Sequence, residues 1–299
     1  MKHTLKITII LVSLFLLAQV VGLATINKYI KVKIVEGKPV IEHADTIIGK
    51  QPTIKEKSYS AIPIIIAILI GTALIFLLIK FKLGRFWKTW FFLSVWITLA
   101  ISFDVYIARI VAVIIAFILA FIKTFKPNVI VHNFTEIFIY TGITVIILPF
   151  LDIISSFMLL FLISIYDMIA VWKSKHMIKL AKFQTKSKVF AGLLLQYKTK
   201  KKKTAKVKEV KVKEKSAILG GGDIAFPLIF SAAVMEHLIL KGVTKTNAFL
   251  ETSIITLFVS VSLTILFLKG KKDTFYPAMP FLSLGCLIGY IIIVLINLI

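Results

Sequence analysis

The chain has 299 residues, 59% of them hydrophobic and only 17% charged, with a mean hydropathy of +0.95, which excludes a water-soluble globular domain, a disordered chain and a disulfide-built secreted scaffold. A net charge of +23 would point to nucleic acid in a soluble protein, but in a membrane protein lysine and arginine gather in cytoplasmic loops and are read by position. The single cysteine, Cys286, lies in an apolar run, so neither an intrachain disulfide nor a metal–thiolate cluster is available.

A bilayer span takes about 20 apolar residues. Runs of that kind cover 7–25, 61–79, 89–103, 105–122, 128–148, 153–172, 217–240, 248–268 and 275–299, which predicts an all-α polytopic membrane protein with nine transmembrane helices. Two of the divisions are inferred, because 89–122 and 133–172 are each too long for one helix. The first is split at Asp104 and the second at Pro149–Asp152, where a carboxylate or a proline interrupts the apolar pattern.

In chain order, the first span follows Lys2 and Lys6 and contains the small residues Gly22 and Ala24, the outline of a secretory leader. Its length, and the polytopic chain behind it, favour a retained helix. Segment 26–58 is polar, and the alternation of Ile30, Val32 and Ile34 with lysines, a turn at Gly37-Lys38-Pro39 and then Val40-Ile41 reads either as a small exposed hairpin or as a plain connecting loop. The loop 173–216 holds sixteen of the 37 basic residues. Residues 174–186 read as an amphipathic surface helix, Val189–Tyr197 as a short apolar strand, and Lys198–Lys215 as a solvated tract drawn to anionic lipid. Without aromatic residues interleaved to stack on bases, this tract is not read as a nucleic-acid site. The organisation is therefore 1–172, six spans with an outer polar segment; 173–216, a basic cytoplasmic loop; and 217–299, spans seven to nine.

A cytoplasmic N-terminus puts most of the basic residues on the inside, including Lys80, Lys82, Arg85, Lys88, Lys123 and Lys126. Trp87, Trp90 and Trp172 then fall at the inner interface, and the C-terminus is outside.

Charged side chains inside spans cost about 2.5–3.5 kcal/mol each on insertion scales, so an intramembrane carboxylate is a functional candidate. Three of the 14 carboxylates lie well inside spans: Asp167, Asp223 and Glu236. Counted as helix from Lys173 and Lys215, Asp167 and Asp223 lie about 9 and 12 Å from the same face, on helices running in opposite directions. Two carboxylates at matched depth suit aspartyl proteolysis, in which one ionised and one protonated group activate a water and polarise a carbonyl. They suit a cation- or proton-coupled transporter equally well.

The flanking residues distinguish the two. Tyr166-Asp167 sits in the sixth span, Gly220-Gly221-Gly222-Asp223 opens the seventh, and Pro277-Ala278-Met279 opens the ninth. In that order the three motifs resemble the Tyr-Asp, Gly-x-Gly-Asp and Pro-Ala-Leu motifs of the presenilin and signal peptide peptidase family of intramembrane aspartyl proteases, prokaryotic type. Met279 stands where the family has leucine, a mild volume-conserving change. The motifs fall within 150–299; the first five spans match in number and orientation only.

The resemblance implies a presenilin-like fold and a dyad of Asp167 and Asp223. Tyr166, Gly220, Gly221, Gly222, Pro277, Ala278 and Met279 would shape the site or contact substrate. It also implies transmembrane-helix substrates and no metal or other cofactor. With the sixth span running outside to inside, substrates with their N-terminus outside are preferred. The strand-like Val189–Tyr197 is a candidate for pairing with an unwound substrate. The prepilin or preflagellin peptidase class is the alternative among Gly-x-Gly-Asp proteases.

The remaining polar signals carry less. Glu236-His237, about three turns beyond Asp223, reads as packing near the outer half or as an internal hydrogen bond, and His132 and Glu136 have helical spacing without a third metal ligand. Gly285 and Gly289 form a helix-packing pair.

Overall fold

The computed structural model describes residues 5–52, 57–174, 180, 183–184, 189–200, 212–270, 274 and 276–298. Among these, the chain forms an all-α membrane bundle: α1 Leu5–Tyr29, α2 Ala61–Lys80, α3 Gly84–Asp104, α4 Arg109–Phe125, α5 Val129–Ile147, α6 Ile153–Met168, α7 Gly221–Leu240, α8 Lys245–Lys269 and α9 Met279–Ile296. Eight of these helices, with their short extensions, are long and apolar enough to cross a bilayer. The other is α4, whose 17 residues rise about 26 Å, within the range of a tilted or short span.

Both inferred divisions are present. Helix α3 ends at Asp104, and Arg109, the first residue of α4, places its Nε 3.5 Å from the Asp104 carboxylate. After α5, Leu148–Phe150 forms a tight turn containing Pro149, and Asp152 then starts α6. The Asp152 carboxylate accepts from the Ser155 N–H at 2.7 Å, while the Asp152 N–H donates to the Ser155 hydroxyl at 2.8 Å, a reciprocal cap. The Ser58 hydroxyl adds a third bond at 2.9 Å.

The polar segment after α1 is a hairpin, β1 Ile30–Val35 with β2 Lys38–His43. Its turn is Glu36-Gly37, both at positive φ (50° and 75°), which suits a two-residue hairpin. Lys38 and Pro39 therefore belong to β2, and proline is tolerated there because both strands of a two-stranded sheet are edges.

Helix α1 lies inside the bundle against α5, α7 and α8. The pair Gly285 and Gly289 brings α9 onto α8: a Cβ at those positions would come within 2.9 Å of the Val259 Cα and 2.7 Å of the Ile255 Cα. Helix α2 is the most loosely held, since only Ala61 within it is buried. Helices α6, α7 and α9 pack against one another.

The loop side differs most from the sequence reading. The predicted strand is present but displaced to β3, Gly192–Lys200, and it pairs with a second strand, β4, Val212–Gly220. Residues 217–220, read as the start of a helix, complete this strand, so the seventh helix begins at Gly221. Both ends of the tract Lys198–Lys215 are strand, not solvated coil. The predicted surface helix 174–186 lies largely outside the described residues. Lys123 is not a loop lysine: it sits in the last turn of α4 and is 2% exposed. Trp87 is buried against Phe91 and Phe183 instead of facing an interface, whereas Trp90 and Trp172 are exposed.

The Asp152 cap gives a pH-dependent prediction. Burial raises its carboxyl, but the bonds from Ser155 and Ser58 outweigh it and hold the group below the usual carboxylate range. Its contribution is therefore complete above the unfolded value of about 3.9 and is lost as pH falls through the lower folded value. Asp152→Ala should cost about 1 kcal/mol at neutral pH. Thermal unfolding in detergent should show the gap from wild type narrowing below about pH 4.

Candidate active site

Asp167 lies in the last turn of α6, just before Ile169–Lys173 widens into a π turn. It is 6% exposed, and its Oδ2 accepts from the Met279 N–H at 3.1 Å, with the Ala278 N–H as a second donor. Ala278 is the residue from which α9 starts, so Asp167 caps a neighbouring helix at its electropositive end. Pro280 supplies no N–H in that first turn, which leaves fewer donors to satisfy there. The Ser164 and Ser283 hydroxyls meet at 2.8 Å and hold α6 to α9 one turn deeper. Ala278 and Met279 are thus brought to Asp167, and Pro277, Ala278 and Met279 are all buried.

Tyr166 is half-buried, and its hydroxyl lies 3.4 Å from the Thr72 hydroxyl on α2. It points towards α2, which fits a packing role beside the carboxylate.

Asp223 is the third residue of α7, preceded by Gly220 at the helix cap and by Gly221 and Gly222. Its depth is set by β4 and the helix start, so the rise counted as helix from Lys215 does not apply. Its Oδ2 lies 3.3 Å from where a Gly220 Cβ would project, so the carboxylate folds back over the cap. A Cβ at Gly221 would fall 2.5 Å from the Tyr140 hydroxyl, whereas one at Gly222 would meet only the Phe226 ring, at 3.3 Å. Gly221 therefore permits the approach of α5. Four residues on, Pro227 has no N–H, so the Asp223 carbonyl receives no bond from it within the helix. Gln19 of α1 donates to the neighbouring Ile224 carbonyl at 2.8 Å.

Asp167 and Asp223 both belong to the end of the bundle opposite the β1–β2 hairpin. Helix α7 runs from Asp223 to Glu236, whose carboxylate meets the His43 Nε2 of β2 at 2.5 Å. Glu236 is thereby a partner of the hairpin, a link that its position in sequence did not indicate. Among the described residues no group of three or more His, Cys, Asp and Glu is placed to hold a metal ion.

The model of the signal-peptide peptidase and presenilin aspartyl protease family matches residues 12–299. The chain belongs to that family. The solved structure of a presenilin family intramembrane aspartate protease in a C222 crystal form superposes with a TM-score of 0.60 at 17% identity, covering 97% of this chain and 99% of the other. The P2 form gives 0.59 at 17% identity, with 96% of each chain covered. At that identity the likeness shows the presenilin-like fold. No curated protein matches in sequence.

The sequence motifs name Tyr166, Asp167, Gly220 to Asp223 and Pro277 to Met279, but not Gln19, His43, Thr72, Tyr140 or Ser283, whose roles depend on neighbours more than 80 positions away. The glycines at the helix start are also not equivalent. Gly221→Ala should lower stability by about 1–3 kcal/mol through overpacking against Tyr140, while Gly222→Ala should change it by less than about 1 kcal/mol. Thermal unfolding of the two variants side by side checks this.

Proposed function

We propose that this presenilin-type protease is an endopeptidase that hydrolyses peptide bonds within transmembrane helices, including remnant signal peptides, with Asp167 and Asp223 as its dyad. The observation that supports the reading best is the setting of Asp167, a buried carboxylate held at the start of α9 by backbone donors of the Pro277-Ala278-Met279 segment. It belongs to a chain whose next helix opens on Gly-Gly-Gly-Asp.

In this mechanism the ionised aspartate takes a proton from water as the water oxygen adds to the scissile carbonyl carbon, and the protonated one donates to the carbonyl oxygen. Collapse of the gem-diol breaks the C–N bond, with a proton delivered to the leaving amine. No covalent enzyme intermediate forms.

A peptide bond in a helix is shielded by its own hydrogen bonds, so the substrate must become extended. β3 is not the receiving strand. One edge pairs with β4, and on the other Gly192 and Leu194 are bonded to α5 side chains. By ladder alternation Leu193 and Leu195 then bond Leu219 and Ala217, which turns the Ile218 N–H to the far edge of β4. Substrate addition is therefore assigned to β4, which runs directly into Asp223.

The positive-inside bias places the N-terminus and the loop 173–216 in the cytoplasm and the C-terminus outside, with anionic lipid held by the loop lysines. Burial of Lys123 removes one charge from that bias and leaves the rest. In this orientation the preferred substrates have their N-terminus outside.

The test is cleavage of a single-span reporter by purified protein in lipid. Asp167→Asn and Asp223→Asn should each lower the rate about 1,000-fold or more. Activity that survives both substitutions refutes the dyad, and faster cleavage of the inverted reporter refutes the orientation. Ile218→Pro should leave the fold intact, since an edge N–H is lost, yet abolish cleavage.

A further inference from the structure

Five polar side chains that the proposed chemistry does not use are buried together between α4, α5 and β3. Lys123 Nζ lies 2.5 Å from Glu136 Oε1, and both side chains are about 1% exposed. Nζ also donates to His132 Nδ1 at 3.0 Å. The other Glu136 oxygen accepts from the Tyr140 hydroxyl and, at 2.9 Å, from the Gly192 N–H. His132 Nε2 meets the Gly192 carbonyl at 2.8 Å. A carbonyl can only accept, so Nε2 carries the proton and Nδ1 is the acceptor for the lysine. Asn133 accepts from the Leu194 N–H at 2.9 Å and donates to the Leu194 carbonyl at 2.8 Å.

The pattern is that of a missing strand. Gly192 and Leu194, two positions apart, present N–H and C=O to the same side, and all four groups are met by side chains of one helix. Gly192 is the fixed point, with φ of +141°, and a Cβ there would collide with the Leu219 carbonyl across the ladder. Opposite Gly192 stands Gly220, the cap of α7, and the Gly221 N–H bonds the Ala191 carbonyl at 3.2 Å. Tyr140, bonded to Glu136, also sets how closely Gly221 can approach.

A buried ion pair is costly and is often no more stabilising than an apolar replacement, so stability alone does not account for this one. We infer that Lys123, His132, Asn133, Glu136 and Tyr140 form a positioning network that fixes β3 from the side opposite β4 and thereby sets the place of Asp223. The inference rests on the protease reading above, with Glu136 as the central positioning residue acting through Gly192.

The test compares two charge-neutral double variants, Lys123→Met with Glu136→Gln and Lys123→Met with Glu136→Leu. The glutamine can still accept from the Gly192 N–H; the leucine cannot. The glutamine form should cleave within about three-fold of wild type. The leucine form should lose at least ten-fold in kcat with KM within about three-fold, and exchange amide hydrogens faster in 212–222. Equal kcat in the two forms overturns the proposal. If the leucine form does not fold, Asn133→Leu, which removes no charge, takes its place with the same expectations. If wild type cleaves no reporter, the protease reading fails by itself. Exchange in 212–222 then decides the positioning role, and an unchanged rate refutes it.

Discussion

An extended backbone inside an apolar bundle has to find a partner for every N–H and C=O, because lipid offers none. This constraint governs β3 and β4, where the chain leaves helical geometry at the approach to an intramembrane carboxylate. Strand β4 meets one side of β3, and side chains of α5 meet the other. The far edge of β4 is the one to which the proposed substrate strand would add. The same requirement explains why a lysine, a glutamate, a histidine and an asparagine are gathered where apolar residues would otherwise be cheaper.

The second carboxylate obeys the same rule from the opposite direction. Asp167 sits on an intact helix, but the helix beside it begins at its level, and a helix start exposes donors that must be satisfied. Ala278 and Met279 supply those donors and Asp167 accepts them. Helix starts therefore organise both aspartates: Asp223 belongs to the first turn of α7, and Asp167 caps the first turn of α9. Glycine and proline are concentrated at these two starts because they thin the crowding and remove N–H groups that would need partners.

The first hairpin stands at the opposite end of α7, tied to it through His43 and Glu236, with the Tyr29 ring stacked on the imidazole at 5.2 Å. Helix α7 is thus held at both ends by extended structure, and Gln19 of α1 holds it near Asp223. Helix α2 is the least buried of the described helices. The Thr72 hydroxyl approaches that of Tyr166, so this helix covers the face of α6 nearest Tyr166.

The sequence by itself determined the membrane class, the helices, both interruptions at Asp104 and Pro149–Asp152, and the three motifs, since each is written in a local run of apolar, breaker or signature residues. It also located a strand near Val189–Tyr197, because apolar residues flanked by lysines read the same in any context. It could not supply β4: the lysines of 212–215 mimic a solvated tract, and Ala217–Gly220 are apolar enough to pass for the start of a span. Nor could it show that Lys123, three residues from a loop, turns inward, because the carboxylate that draws it in lies on the next helix. Tertiary structure decided which edges of the sheet are occupied, which glycine faces Tyr140 and what holds the strand before Asp223. Those answers depend on hydrogen-bond partners supplied by other helices, and a linear pattern of hydropathy and charge does not encode which partner arrives.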